Sequence, residues 1–223
     1  MIRFDTVTKR YDGGHDALRE VTLQIDAGEM VFLTGRSGAG KSTLLKLVSL
    51  IERPTRGQVI VDGQNVGRTP RRRVPHYRRQ LGMVFQDHKL LSDRSVFDNI
   101  ALPLVIAGVA RREVDKRVRA ALDQVSLLGK ENVLPISLST GEQQRVGIAR
   151  AVVRKPKLLI ADEPTGNLDP ELSADIMAIF QRFNDVGVTT LIASHDQLLI
   201  DRLGLRVITL HDGQLVRDGA PGG

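Results

Sequence analysis

The hydrophobic positions of the chain follow two periods, and the change between them divides the sequence into three stretches. Short apolar runs bounded by glycine or polar residues predict strands before residue 86 and again after residue 154. The predicted strands are Ile2–Val7, Val21–Ile25, Met30–Thr34, Gly57–Gly63 and Leu81–Phe85, then Lys157–Ala161, Thr189–Ala193, Arg206–Leu210 and a hairpin return at Gly213–Val216.

Between about residues 87 and 153 the spacing of apolar residues lengthens from two towards 3.6, the period of a helix. The helices predicted there are Val96–Ile106, Glu113–Val125 and Glu142–Val153. Further helices are predicted at Thr43–Val48 and between the last strands. The sequence thus predicts one α/β domain, with a core at 1–86 and 154–223 and a helical insertion at 87–153.

A glycine-rich loop separates the strand Met30–Thr34 from the helix Thr43–Val48. Its eight residues fit the pattern G-x-x-x-x-G-K-[ST]; they are Gly35, Arg36, Ser37, Gly38, Ala39, Gly40, Lys41 and Ser42. In this context the backbone N–H groups and the helix dipole bind phosphates. Lys41 adds a charge at the β- and γ-phosphates, and the Ser42 hydroxyl suits Mg²⁺. We therefore expect residues 35–43 to hold a nucleotide.

Two adjacent carboxylates, Asp162 and Glu163, follow the apolar run Leu158–Ala161. In phosphate-loop enzymes the first such carboxylate holds Mg²⁺. A second one at the end of the strand is placed to act as a general base on water. A helix cap or a solvated loop explains two acids equally well in isolation, but the phosphate loop favours the nucleotide site.

The segment Leu138–Arg145 combines a capping box with a glycine. Ser139 and Glu142 have the spacing of residues that cap a helix N-terminus together, and Gly141 lies between them. The segment resembles the Leu-Ser-Gly-Gly-Glu/Gln-Gln signature of the ATP-binding-cassette (ABC) ATPase family, and the resemblance covers almost the whole chain. It implies a P-loop NTPase fold of α/β class, with an inserted α-helical subdomain and an N-terminal antiparallel β portion.

The resemblance also assigns roles to residues outside these motifs. Tyr11 matches the aromatic residue that stacks on adenine, with a half-buried tyrosine at a strand end as the less favoured alternative. Gln86 matches the glutamine that contacts Mg²⁺ and water, and Asp169 lies in the loop that meets the opposite subunit. His195 matches the histidine that hydrogen-bonds the γ-phosphate.

The family mechanism is ATP hydrolysis in a head-to-tail homodimer, where the signature of one subunit meets ATP on the other. It implies that Glu163 activates water, that His195 and Lys41 support the developing charge, and that ATP and Mg²⁺ are required. Thr140 stands where the family most often has glycine. Because a β-branched residue disfavours positive φ, we expect an altered contact to the γ-phosphate in a site that still functions.

Composition and charge limit the alternatives. The chain has 223 residues, no cysteine and a net charge of +6. It has no signal-peptide pattern and no apolar run near the roughly 20 residues that cross a bilayer, so we expect a soluble chain. Between Gly63 and Gln86 it has no acidic residue but six arginines: Arg68, Arg71, Arg72, Arg73, Arg78 and Arg79. A solvated surface is the favoured interpretation, with lipid headgroups second and nucleic acid less favoured.

Within the family, three segments resemble ATPases that act in bacterial cell division: Met1–Phe4, Phe85–Ile100 and Ala161–Asp169. Transporter relatives share the last of these, so Phe85–Ile100 carries most of the resemblance. The resemblance implies a peripheral protein on the cytoplasmic side of the inner membrane, with a division membrane protein or a similar permease bound at the groove near Gln86–Ile100. Two alternatives remain open at this point. One is the ATPase subunit of a lipoprotein-releasing or macrolide-type transporter, and the other is a nucleic-acid-associated ATPase.

Overall fold

A six-stranded, mostly parallel sheet forms the centre of the protein, whose structure is a computed structural model describing residues 1–220. The strands are β1 (Ile2–Arg10), β2 (Asp16–Ile25), β3 (Met30–Thr34), β4 (Arg56–Val61), β5 (Gln64–Asn65), β6 (Leu81–Val84), β7 (Leu158–Asp162), β8 (Thr189–Ala193), β9 (Arg206–His211) and β10 (Gln214–Gly219). The helices are α1 (Lys41–Val48), α2 (Val74–Arg78), α3 (Val96–Ile106), α4 (Arg111–Gln124), α5 (Thr140–Val152), α6 (Pro170–Asp185) and α7 (Gln197–Leu203).

The two sheets explain why the strand sequences differ. The central sheet has the order β10-β9-β3-β8-β7-β6, and every pair except β10 with β9 is parallel. Its strands β3 and β8 are buried at all five positions, as expected for parallel strands covered on both faces. The second sheet, β2-β1-β4-β5, is antiparallel, and its strands mix buried and exposed positions.

The helical portion lies between β6 and β7 in the chain, and side chains cap its helices α3 and α5. Ser95 caps α3 by accepting a hydrogen bond from the Asp98 N–H at 3.1 Å, and α3 packs against α4 and α5. One hydrophobic cluster joins these helices to α6 and one face of the central sheet. A second cluster lies between the two sheets and includes α1. The predicted fold class is confirmed, and the division at residues 86 and 154 stays a prediction.

The structure extends the predicted strands at the N-terminus and adds one helix. β1 and β2 continue through polar residues because they pair with each other across several register shifts, and Thr6 and Glu20 have positive φ there. The helix α2 was not predicted; Tyr77 anchors it by donating to the Val48 carbonyl at 2.5 Å. Within residues 1–220, no helix has the length and apolar character needed to cross a bilayer.

Candidate active site

The phosphate loop leads into α1 without any side-chain cap. Gly40 is the N-cap residue and has φ +106°, a conformation that favours glycine. A Cβ at Gly40 would lie 2.6 Å from the Ala17 carbonyl oxygen, so a side chain would also be excluded by contact. Lys41 folds back over the loop and donates to the Gly35 carbonyl at 2.7 Å. The first-turn N–H groups of α1 are therefore available to a phosphate.

The C-terminal hairpin of the chain forms one wall of this loop. The Thr34 and Thr209 hydroxyls are 3.0 Å apart, and a Cβ at Gly35 would overlap the Leu210 carbonyl oxygen. The Gly213 N–H donates to the Ala39 carbonyl at 3.2 Å, which ties the β9–β10 turn to the loop. The loop is thus shaped by residues about 175 positions further along the chain.

The carboxylates at the end of β7 lie beside the start of α1. The Ser42 hydroxyl donates to Asp162 Oδ1 at 3.4 Å, although the two residues are 120 positions apart. Glu163 has φ +50°, and its N–H donates to the Ala193 carbonyl at the end of β8. His195 Nδ1 lies 2.8 Å from Glu163 Oε2, and the exposed fractions of these side chains are 66% and 14%. The parallel register thus joins β7, β8 and the phosphate loop at one edge.

One cleft of about 640 Å³ contains most of the predicted residues. Its lining residues are Tyr11, His15, Ala17, residues 35–43, Gln86, Asp162, Glu163 and His195. The Tyr11 hydroxyl lies 3.5 Å from Thr43 Oγ1, and Lys9 Nζ is 4.8 Å from the centre of the Tyr11 ring. His15 was not predicted, although its place in the turn between β1 and β2, close after Tyr11, was a signal for it.

Ser42, Gln86 and Asp162 offer a donor set that suits Mg²⁺. They present hydroxyl, amide and carboxylate oxygens, which are the ligand types that this ion prefers. Ser42 and Asp162 are already within hydrogen-bond distance, and all three residues line the phosphate cleft. The residues therefore fit the predicted ion.

The signature residues lie outside this cleft. Ser139, Gly141, Glu142 and Asp169 do not line it. Ser139 and Glu142 form the predicted capping box, with Glu142 N–H to Ser139 Oγ at 3.3 Å and Ser139 N–H to Glu142 Oε2 at 3.0 Å. Asp169 caps α6 by accepting from the Leu172 N–H at 2.9 Å. One chain therefore keeps the signature away from its own phosphate loop.

A neighbouring lysine stabilises the charged form of Glu142 in the capping box of α5. Lys130 Nζ donates to Glu142 Oε1 at 2.5 Å. This hydrogen bond, followed by the one from the Ser139 backbone, lowers the pKa of Glu142 below its ordinary value. Lys130 was not predicted, because its contact with the signature crosses 12 residues without a local motif.

The expected effect of Thr140 on the backbone is not found. Thr140 is the first residue of α5, and it is absent from the described residues that have positive φ. A β-branched side chain is tolerated in a first helical turn, so the reason given for an altered phosphate contact does not apply.

His88 connects the cleft to α5, and the sequence analysis did not predict this residue. His88 Nδ1 lies 3.1 Å from the Gln86 carbonyl and Nε2 lies 3.2 Å from the Thr140 carbonyl. Arg150 of α5 donates to the Lys89 carbonyl at 2.6 Å. Burial lowers the pKa of His88, Asp87 opposes this shift and Arg150 adds to it. The Gln86 loop is therefore attached to the helix that carries the signature.

The fold and the site together define an ATP-binding cassette. Residues 18–166 match the family model described as ABC transporter. The chain therefore belongs to the ABC transporter family, and it is an ATPase of that family.

Comparison with similar proteins points to one kind of protein within this family. The chain is 58% identical over 215 residues to the cell division ATP-binding protein FtsE of Escherichia coli strain K12, covering 96% of this chain and 97% of that protein. Identity to FtsE of Haemophilus influenzae is 48% over 216 residues, covering 96% and 99% of the two chains. The chain is thus similar along nearly its whole length to cell-division ATP-binding proteins.

A solved cassette shares the fold at full length. The dimeric structure of MJ0796, a bacterial ABC transporter cassette, matches with a TM-score of 0.91 at 34% identity and covers 100% of both chains. A dimeric structure of the same cassette in a post-hydrolysis state bound to ADP and Pi matches with a TM-score of 0.90, again at 34% identity and 100% coverage of both chains.

Proposed function

We propose that this chain is the ATP-hydrolysing subunit of a membrane complex in bacterial cell division. The membrane partner is FtsX, and ATP-driven dimer closure is coupled across the inner membrane to the control of cell-wall hydrolysis. The observation that carries the proposal is the 58% identity to a cell division ATP-binding protein over 96% of the chain.

The proposed chemistry uses the residues that meet at the edge of the central sheet. Glu163 accepts a proton from the attacking water, and its carboxylate is oriented by His195 at 2.8 Å. Lys41 releases the Gly35 carbonyl and pairs with the β- and γ-phosphates. In the proposed site His195 contacts Glu163 through Nδ1 and offers Nε2 to the γ-phosphate. Catalysis is then mostly positioning and electrostatic stabilisation.

Ser42, Gln86 and Asp162 are the residues proposed to hold Mg²⁺. When bound, the ion neutralises charge on the β- and γ-phosphate oxygens. Ser42 provides its hydroxyl at the start of α1, and Asp162 provides its carboxylate beside it. Gln86 presents its amide to the same cleft. Its backbone carbonyl contacts His88, which also contacts the Thr140 carbonyl of α5.

The complete site is proposed to need two copies of the chain. Ser139 and its helix N-terminus lie outside the cleft that contains Lys41, so a second subunit must supply them. Asp169, the N-cap of α6, is proposed to contribute to the same interface. The dimeric structures of the MJ0796 cassette support this arrangement.

The partner is proposed to bind beside the Gln86 loop. Leu91 has an exposed fraction of 42%, and Phe97 is partly buried against the helical portion. Both side chains belong to the predicted groove at Gln86–Ile100. The position of the groove next to Gln86 allows binding of a membrane protein to affect the cleft.

The catalytic half of the proposal is tested with Glu163→Gln. Because an amide cannot accept the proton, turnover should fall about 10²- to 10⁴-fold while ATP binding is retained. Asp185→Asn, an exposed carboxylate at the far end of α6, is the matched control and should hydrolyse ATP normally. Substantial turnover by Glu163→Gln would contradict the role of Glu163 as base.

The partner half is tested by co-expression of Glu163→Gln with FtsX and purification in detergent with ATP. We expect FtsX to co-purify, and Phe97→Ala added to this form should abolish the association. Val186→Ala, whose side chain is 77% exposed on another surface, serves as control and should retain it. Failure of the parent form to retain FtsX would overturn the division assignment without affecting the ATP site.

A second candidate function is the ATPase subunit of a transporter of the lipoprotein-releasing or macrolide type. The likeness to a bacterial ABC transporter cassette favours it. In that case a permease rather than FtsX should co-purify from the native membrane, and the same Phe97→Ala change should abolish that association.

A further inference from the structure

The arginine-rich segment is an exposed surface in the structure. The turn Arg71–Arg73 and the helix α2 lie between β5 and β6, and all six arginines of the segment are exposed. Five of them form what we call the arginine face: Arg68, Arg71, Arg72, Arg73 and Arg79. The sixth, Arg78, points back and donates to the Leu50 carbonyl at 2.7 Å.

The charge of this face is not neutralised within the described chain. Among residues 1–220, the side chains of the arginine face make no ion pair. Some cations elsewhere are paired, such as Arg10 with Asp16 and Arg206 with Asp218. An uncompensated set of guanidinium groups creates a local positive potential that attracts a multivalent anionic surface.

The face is also held rigidly against the core. Tyr77 is buried and bonds to the Val48 carbonyl at the end of α1. Arg53 donates to the carbonyls of Gly67 and Thr69 on the approach to the face. Little conformational entropy is therefore lost when the backbone of this segment binds a partner.

An exposed apolar helix end lies next to the face. Arg154 joins the two by donating to the Arg79 carbonyl at 3.0 Å and to the Pro103 carbonyl of α3 at 3.3 Å. Just beyond Pro103, Val105 and Ile106 have exposed fractions of 60% and 56%. Basic groups beside exposed apolar side chains suit an anionic lipid surface.

We propose that the arginine face binds the anionic headgroups of a lipid bilayer directly, with Val105 and Ile106 at the headgroup boundary. Nucleic acid fits the face less well, because Tyr77 is buried and offers no ring for base stacking. The five-residue helix α2 is also too short to present a reading surface in a groove. The contact would place the chain on the membrane in addition to any protein partner.

The proposal is independent of the membrane partner, because it is tested with the chain alone. Purified protein is mixed with vesicles of phosphatidylcholine, with or without phosphatidylglycerol, and bound protein is measured by sedimentation. We expect binding only to the anionic vesicles. The binding should weaken strongly as salt rises from about 0.1 M to 1 M, because the screening length falls from about 10 Å to 3 Å.

The residues are tested with the triple variant Arg71→Glu, Arg72→Glu and Arg73→Glu. It should bind anionic vesicles at least about tenfold more weakly, while its ATP hydrolysis stays unchanged because these residues lie outside the cleft. The matched control is Arg119→Glu, Arg182→Glu and Arg202→Glu on α4, α6 and α7, which changes net charge equally and removes exposed arginines outside the proposed contact.

Three results would overturn the proposal. The first is unchanged vesicle binding by the triple variant of the arginine face, and the second is an equal loss in the control triple variant, which would indicate an effect of net charge alone. The third is tighter binding to a DNA duplex than to anionic vesicles at the same salt, with the same triple variant abolishing it. That result would assign the face to nucleic acid.

Discussion

The molecule contains two helix N-termini with opposite chemistry, at α1 and at α5. The N-cap of α1 is Gly40, which has no side chain to satisfy the first N–H groups. The N-cap of α5 is Ser139, which forms a complete capping box with Glu142. One terminus is open to a ligand, and the other is satisfied by its own side chains.

The difference indicates how the two ends meet a phosphate. At α1 the backbone itself is the binding group, and ligand binding supplies the missing hydrogen bonds. At α5 the Ser139 oxygen already accepts from Glu142, but its own O–H can still be donated. The capping box therefore orients a hydroxyl donor, and α5 is stable before a second subunit arrives.

A substitution at the open N-terminus of α1 should have the largest effect. Lys41→Ala removes the charge beside the unfilled N–H groups, so nucleotide binding measured by titration should weaken about tenfold to hundredfold. Lys46→Ala, in the last turn of the same helix, is exposed and should bind nucleotide normally. Equal nucleotide affinities of the two variants would contradict a specific role for the N-terminus of α1.

The packing behind the capped terminus should give the next largest effect. Gly141→Ala would bring a Cβ into overlap with the half-buried Leu172 side chain, which must shift, so we expect a cost at the low end of the about 1–3 kcal/mol that overpacking causes. Gly147→Ala in the same helix meets nothing closer than 3.9 Å and should stabilise the protein. Urea unfolding of both variants checks this, and destabilisation of both by the same amount would contradict it.

The cap itself should give a smaller effect on stability with a distinct effect on function. Ser139→Ala and Ser95→Ala each remove an N-cap hydroxyl and should each cost about 1 kcal/mol of unfolding free energy. Only Ser139→Ala should also lower ATP hydrolysis at concentrations where the dimer forms. If Ser95→Ala lowered hydrolysis equally, the hydroxyl of Ser139 would have no role beyond capping.

The ion pair that supports the cap should give the smallest effect. Because the pKa of Glu142 is lowered, its contribution to stability is present above the ordinary value of 4.5 and is lost as the pH falls through the lowered one. Lys130→Met should cost about 0.2–1 kcal/mol at neutral pH and nothing in strong acid. Lys116→Met on α4 is the control, and a loss independent of pH would refute the assignment to Glu142.

The sequence predicts best where local pattern and tertiary structure agree. The bounds of β3, β8 and α3 are those predicted, because each is an apolar run with clear limits. The polar ends of β1 and β2 were not predictable, since they are strands only through pairing with each other. The same holds for α2, which depends on the contact of Tyr77 with the end of α1.

The site residues also divide into those that local motifs predict and those that they do not. Local motifs placed the phosphate loop and the pair Asp162 and Glu163, and the structure brings them into one cleft. The ring contacts of His88 join the Gln86 loop to the first turn of α5, 52 residues further along the chain, and no short pattern encodes them. Pairwise geometry across such distances depends on the packing of whole elements rather than on adjacent residues.

The hairpin that walls the phosphate loop has a consequence for the order in which the protein is made. A chain emerging from the ribosome presents the glycine-rich loop early, whereas Leu210 and Gly213 follow about 175 residues later. Since the β9–β10 turn bonds to Ala39, the nucleotide site lacks one wall until Gly213 has been made and the hairpin has folded.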